Sequence, residues 1–526
     1  MPSKHSTSIV GVQERPVERI LGYVLISFAL YAIWKVPDVL VIISVISIAK
    51  VRQIVYAYVF SPVRHIPGPF WSRVTSIPYR IATFKTRRSA YAHDLIQEYG
   101  SIVVIAPDQV HTSDEIAMKT IYDRSSIKTS FYSNMGSWKG VVTTLGKLDY
   151  ASAGPTRTNL IQCFQNRNLE TLADNIDKHV FQFVDVMKTK AEAGENVDGV
   201  VWFRLLALDI VTDVLWGEDT DLLGHAGSDT PELLKRFFAF SQYNALKSFI
   251  PIVELLAKYV GPPKLSKLRR ECRDMDVTAR QALARWHEKA SKTHDRDVLS
   301  MLLNSQTLDD PEDCIKPEDL PAYMVEMMAA GSSTTSHTAA FACWALANHP
   351  EAQERLRKEL FETLPDATHF DMKDSQKCEY LDAVIHETMR LWPMIPGPLE
   401  RYLGKAITVD GLTVPPGVVA STSALTSGRN AEVFPEPEKW LPERWLNATD
   451  RMRLNWTPFG YGSRICPGSN LAMTELKYML SATFRNMRAV QPVGVKWEPI
   501  ELADVFAAGT KTGHCWLHFE VDAKQP

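Results

Sequence analysis

The 526-residue chain has no Gly-rich dinucleotide fingerprint and no phosphate loop, so nothing in it supports nucleotide or nicotinamide binding by its own residues. It has no basic excess either: 58 Lys+Arg stand against 61 Asp+Glu for a net charge of -3, which speaks against a nucleic-acid partner. Its seven cysteines (163, 272, 314, 343, 378, 466 and 515) show no paired spacing. That excludes a disulfide scaffold and suits a reducing compartment. No Gly/Ser-rich linker or internal repeat divides the chain, and after residue 60 no long apolar run occurs.

What is present begins with apolar sequence at the N-terminus. "ILGYVLISFALYAIW" covers 20–34, "KVPD" interrupts, and "VLVIISVISIA" resumes from 39 and extends past Lys50 and Arg52 to residue 60. A membrane helix needs about 20 apolar residues. A signal peptide fits poorly, and two buried core helices are the alternative. Basic residues flank both sides (Arg15 and Arg19; Lys50, Arg52 and Arg64), so one span or a shallow hairpin is compatible with the pattern. The expected organisation is a membrane-anchor region over 1–60, a hinge over 61–70 stiffened by Pro62, Pro67 and Pro69, and one body over 71–526.

Within that body the periodicity is mainly helical. Helices are expected over 169–190, 203–217, 231–260, 265–291, from near Pro321, 351–364, 378–392 and after the glycine-rich loop at 459–468. Strand-like sequence is limited to "SIVVIAPDQVHTSD" (101–114) and "KAITVDGLTVPPGVVAST" (405–422). The fold class is mainly α with small β-sheets.

One segment carries the chemistry. "FGYGSRICPG" (459–468) sets a lone cysteine among three glycines and one arginine. Cys466 falls where a loop runs into a helix, whose free N–H groups stabilise a thiolate. Arg464 suits a carboxylate, and Phe459 could wall a ligand pocket. A haem ligand, a reactive-cysteine loop and a purely structural loop all remain open on this chemistry alone.

The stretch has the form F-x-x-G-x-R-x-C-x-G and resembles the haem-binding signature of the cytochrome P-450 superfamily. Three further features follow in the family's order, covering most of 60–520. In "HETMR", Glu387 and Arg390 lie three apart on one helix face and can pair. The resemblance adds Arg444 of "LPERW" as the third member of a buried structural network. In "MVEMMAAGSSTTSHT", Ala330-Gly331 weakens a helix beside Thr334, whose hydroxyl can bond a carbonyl or a water. The family places this bend over the distal haem face and gives the threonine a role in oxygen binding and proton transfer. Ser333 stands where the family usually has an acid; a hydroxyl relays a proton but cannot store one. Glu326, two turns earlier, is the expected longer-range substitute. Arg157 and Arg401 match the family's carboxylate clamps, although Ala153 replaces the usual aromatic or histidine and Pro155 strains the helix start.

The resemblance thus implies a cytochrome P-450 fold with haem b ligated by Cys466 and Phe459, Arg464, Gly468, Arg401 and Arg157 around it. Catalytic positions would be Thr334, Ser333, Gly331 and Ala330. Electrons would come from NADPH through a separate flavoprotein reductase, with cytochrome b-five as an optional donor, docking near Arg451, Arg453 and Lys477. The pocket would draw on 130–150, 237–253, Met327, Ala330, 394–399 and 504–511, which are mostly apolar and suit a lipophilic guest. The 237–253 segment could also dip into the bilayer. The texture is similar to the fungal branch that oxidises polyketides, terpenoids or alkaloids at the endoplasmic reticulum membrane, with the catalytic domain facing the cytosol. Rival readings are a reductase-independent isomerase or rearrangement enzyme, and a non-catalytic haem or lipophile binder.

Overall fold

The computed structural model describes residues 38–226, 231–250, 252–259, 261–290, 297–305, 315–364 and 366–521. The apolar run at 20–34 lies outside them. The second run is helical: α1 (Asp38–Val55) continues through a π turn at Tyr56–Phe60. Leu40–Phe60 is long and apolar enough to cross a membrane, and only 6% of its most apolar window is buried. At about 1.5 Å per residue it matches a hydrocarbon core of about 30 Å.

The chain after this helix is fastened to the body. Tyr56 Oη and Ser61 Oγ each donate to the Asp108 carboxylate at 2.7 Å. Val63 and Ile66 are buried, and the Val104 amide donates to the Pro67 carbonyl at 2.8 Å.

Asp108 sits at φ +53 in the turn between β1 (Ile102–Ala106) and β2 (Gln109–Thr112), which splits the expected 101–114 strand into a hairpin. With β3 (Ile127–Lys128), β4 (Arg401–Tyr402) and β5 (Val419–Ser421) these form a sheet in the order β1-β2-β5-β4-β3. The β3–β4 register places Lys128 opposite Arg401. "ITVDGLTV" closes a separate hairpin through Asp410-Gly411, both at positive φ.

Helices make the rest of the core. Of those that position the site, α2 (Tyr150–Cys163) accommodates Pro155 within its length. The next, α3 (Gly199–Trp216), starts on the Asp198 side chain and ends at Gly217 in the left-handed region, φ +63. The expected 231–260 helix is two: α4 (Glu232–Phe249) and a shorter Ile252–Tyr259. The two are parted between Phe249 and Ile252. The central helix is α5 (Leu320–Asn348), with α6 (Glu379–Leu391) and α7 (Ser469–Asn486) packed against it. Helices α3 and α5 run in contact because Gly331 faces Val211: a Cβ added there would lie 3.1 Å from a Val211 methyl. Gly331 therefore serves helix–helix approach, a use its sequence motif did not suggest.

Candidate active site

The 459–468 loop is built by short-range bonds. The Cys466 amide donates to the Phe459 carbonyl at 2.8 Å, and Gly460 and Gly462 supply the positive φ that folds the loop back. Gly462 abuts Tyr122 so closely that a Cβ would fall 2.4 Å from the Tyr122 carbonyl, which also accepts from the Ser463 amide at 3.1 Å. Tyr122, absent from the sequence reading, thereby pins the loop. Gly468 is the N-cap of α7, two residues beyond Cys466. Cys466 as a residue is half-buried; burial raises its thiol pKa, while the Gly468 amide and the Arg157 guanidinium pull it back. Phe459 packs edge-on to Trp456 at 5.9 Å.

Four cations converge beside this loop. Arg157 bonds the Ile465 carbonyl, Arg464 Nη2 donates to the Leu148 carbonyl at 3.2 Å, and Lys128 Nζ donates to the Leu145 carbonyl at 2.8 Å. Arg401, 5% exposed, lies over the rings of Tyr122 and Tyr132. Burial, then Arg401 and Arg157, push Arg464 down to about 10, and burial, then Arg401 and Arg464, depress Lys128. Arg464 Nη1 is buried without an acceptor. Mutually repelling cations with an orphaned donor are the setting for an anion that the protein alone does not supply. Sequence reasoning missed Lys128, which no motif marks; its register opposite Arg401 is what places it.

Helix α5 is buried toward both ends, yet Met327, Ala330, Gly331 and Thr334 retain accessible surface, with Ala330 exposed. Their i, i+3, i+4, i+7 spacing is one face, so this core helix borders an internal space. Thr334 Oγ1 donates to the Ala330 carbonyl at 2.9 Å, and the helix runs unbroken through the expected bend. Glu326, the expected longer-range acid, accepts on Oε1 from Thr143 Oγ1 at 2.8 Å and from the Leu145 amide at 2.9 Å, tying the 143–145 loop to α5. Burial raises its pKa against those bonds. Ser333 instead meets Arg204 Nη2 at 3.4 Å.

Three of the expected pocket segments meet through Phe131, Phe249 and Phe506, with ring centroids 5.1 and 5.6 Å apart from Phe131. A fourth is tied in by the Ala508 amide, which donates to the Met394 carbonyl at 2.7 Å.

Glu387, Arg390 and Arg444 do come together. The Glu387 carboxylate, with no exposed side-chain surface, accepts from Arg390 Nε and Nη2 (2.8 Å each), Arg444 Nε (3.1 Å), Trp445 Nε1 (2.9 Å) and the Leu441 amide (2.9 Å). Of the three expected docking cations, Lys477 is largely buried and paired with Asp382 at 2.8 Å. Arg451 is held by Glu115 and Glu432, and Arg453 is exposed.

A partly accessible cysteine under four cations fits a thiolate-bound porphyrin carrying two carboxylates. The chain belongs to the cytochrome P450 family, whose model matches residues 90–514. It is 28% identical over 450 residues to the cytochrome P450 monooxygenase BOA3 of Botryotinia fuckeliana, covering 81% of this chain and 85% of that one. Similarity to the cytochrome P450 monooxygenase hkm5 of Aspergillus hancockii is 30% over 82% of this chain and 86% of the relative. The dog enzyme cytochrome P450 3A12 matches at 26% over 80% and 84%. As a P450 monooxygenase the protein uses a cysteine-ligated haem b and draws electrons from a redox partner.

Proposed function

We propose that this enzyme hydroxylates, or otherwise oxidises, a lipophilic intermediate of fungal secondary metabolism, with Cys466 as the iron ligand. The observation that carries this reading is the partly accessible Cys466 beside a cation cluster whose Arg464 Nη1 has no acceptor. When bound, the haem supplies dioxygen activation, favoured by thiolate donation. The residues do the rest. Arg157, Arg401, Arg464 and Lys128 hold the carboxylates, and the Gly468 amide tempers the sulfur. Thr334, bonded to the Ala330 carbonyl, keeps lone pairs free to order water over that face. Phe131, Phe249 and Phe506 exclude water from the substrate side.

Electrons arrive from an NADPH-dependent flavoprotein reductase, with cytochrome b-five as an auxiliary, at the face carrying Arg453. Residues 1–60 anchor the protein to the endoplasmic reticulum membrane, 61–70 join anchor to body, and 71–526 form one catalytic domain on the cytosolic side. Contact with the bilayer falls to the Ile252–Tyr259 helix rather than to 237–253: Phe237 and Phe240 are buried, whereas Ile252, Leu255, Leu256 and Tyr259 are 42–65% exposed along one face.

The reduced carbon monoxide difference spectrum tests the ligand. A thiolate-type band is expected, lost in Cys466→Ala; an unchanged band in that variant would refute the assignment. Consumption of NADPH and oxygen with purified reductase separates a monooxygenase from an isomerase, which turns over without either.

A further inference from the structure

A cleft of about 270 Å³ opens between the C-terminal end of α3, the first turns of α4, the Pro263–Ala290 helix and the first three turns of α5. Close-packed interiors hold few voids larger than one water, whose share of liquid volume is about 30 Å³, so a space of this size between packed helices stands out. Its floor is Met275, Met324 and Met328, each buried, with the buried Trp216 as an aromatic wall. Ala279 and Ala282 follow Met275 at i+4 and i+7 on the same face of their helix, and their small side chains leave the room. Met324, Val325 and Met328 lie roughly 130° round α5 from Met327, Ala330 and Thr334, so the cleft and the haem-side space border different faces of one helix. No described residue lining the cleft belongs to the Cys466 loop or to its cation cluster.

The walls are fixed before any guest arrives. The buried Asp209 of α3 accepts from Thr220 Oγ1 at 2.5 Å and from the Leu222 and Leu223 amides at 2.9 and 3.0 Å, which sets the chain after α3 as one side. Charged links span the rim. Arg236 of α4 donates through Nε to Glu232 at 3.3 Å and through Nη1 to Thr278 Oγ1 at 3.0 Å, and Arg285 Nη2 donates to Glu218 at 2.5 Å. Glu218 also accepts from Trp216 Nε1 at 3.3 Å, so the indole has its polar edge satisfied and its ring left for apolar contact. Two carboxylates and two guanidinium groups at the rim answer one another and select no charge. An unpaired charge lowered among the methionines would keep its desolvation cost. Thioethers favour aromatic edges and adapt to the shape of a guest. The volume falls at the small end of ligand pockets, about 300–1,000 Å³, and suits two fused rings.

We propose that this cleft is a second small-molecule site, behind the central helix, that takes an uncharged two-ring aromatic compound between Trp216 and the three methionines. It goes beyond the oxygenase reading and does not depend on it.

Equilibrium dialysis of 2-naphthol at neutral pH tests this, with the haem-loaded full chain in lipid nanodiscs and empty nanodiscs as the blank. Dialysis counts every bound molecule, whereas the haem absorbance shift reports only those beside the iron. Dialysis should find one site more than the haem spectrum does. Ala279→Phe fills the cleft and should remove that extra site while leaving the haem-reported one. Leu233→Trp, at the half-buried rim, should weaken the extra site about ten-fold, and decides the matter if Ala279→Phe fails to fold. Naphthalene-2-sulfonate, the same rings with a fixed charge, should bind there at least about ten-fold more weakly than 2-naphthol. Equal counts by the two methods, an extra site untouched by both substitutions, or equal affinity for the sulfonate would overturn the proposal. Loss of the thiolate carbon monoxide band with the extra site intact would remove the oxygenase reading and leave this cleft standing.

Discussion

Two buried glutamates show how differently one residue type can be treated inside this protein. Glu387 receives five hydrogen bonds from Arg390, Arg444, Trp445 and the Leu441 amide, so its charge is fully answered. Glu475, 1% exposed on α7, has an Oε1 with no partner, and burial raises its pKa from 4.5 to about 8. The folded protein therefore holds Glu475 protonated at neutral pH, whereas the unfolded chain ionises above about 4.5. Between those two values the unfolded state binds fewer protons, so stability falls as pH rises and levels off above about 8. Glu475→Gln keeps the neutral shape and removes that dependence. Its gain over wild type should be near zero at pH 4 and reach a few kcal/mol at pH 8, of the order set by the shift. Denaturation midpoints at the two pH values check it; a gap that does not widen with pH would mean Glu475 is ionised in the fold.

At the scale of elements, the α3–α5 contact depends on Gly331. Alanine there should change stability by no more than about 1 kcal/mol, because better helix propensity offsets the need for Val211 to shift by a few tenths of an ångström. Valine should cost roughly 1–3 kcal/mol through overpacking, and Val211→Ala should restore part of that loss. Denaturant unfolding of the single and double variants reads the coupling; purely additive costs would place the strain elsewhere. The long helices were legible from their periodicity because each buries a continuous face, and the Cys466 loop from its glycines. The break after Phe249 and the hairpin turn at Asp108 are short-range punctuation that a windowed pattern smooths over. Lys128, Tyr122 and Arg204 could not be read at all. Each acquires its place from a partner far along the chain: Lys128 from Arg401, Tyr122 from Ser463, Arg204 from Ser333. Nothing local distinguishes such residues from a surface cation or a packed ring.

At the scale of the whole molecule, exposed apolar residues gather on helices outside the core. Phe70, Trp71, Ile77, Ile81 and Phe84 follow the anchor helix, and Ile252, Leu255, Leu256 and Tyr259 line the short helix after α4. Arg88 lies over both Phe131 and Phe249, so the two regions approach one another near the pocket. With residues 1–60 deleted, the body should still sediment with anionic lipid vesicles, and Leu255→Glu with Tyr259→Glu should lower the bound fraction several-fold without altering the carbon monoxide spectrum. Unchanged partitioning would leave attachment to the anchor alone.

The Asp108 carboxylate, gripped by Tyr56 and Ser61, has a further consequence. A tether that left the surface as loose chain would let the body tumble, and its entrance would sample every direction. Here Leu40–Phe60 is tied at its C-terminal end to a sheet corner, so in a bilayer-spanning helix the membrane normal would become a fixed axis of the enzyme. Which rim then met the lipid, and which stayed open to an electron carrier in the same plane, would be set by two hydroxyl groups on one acid.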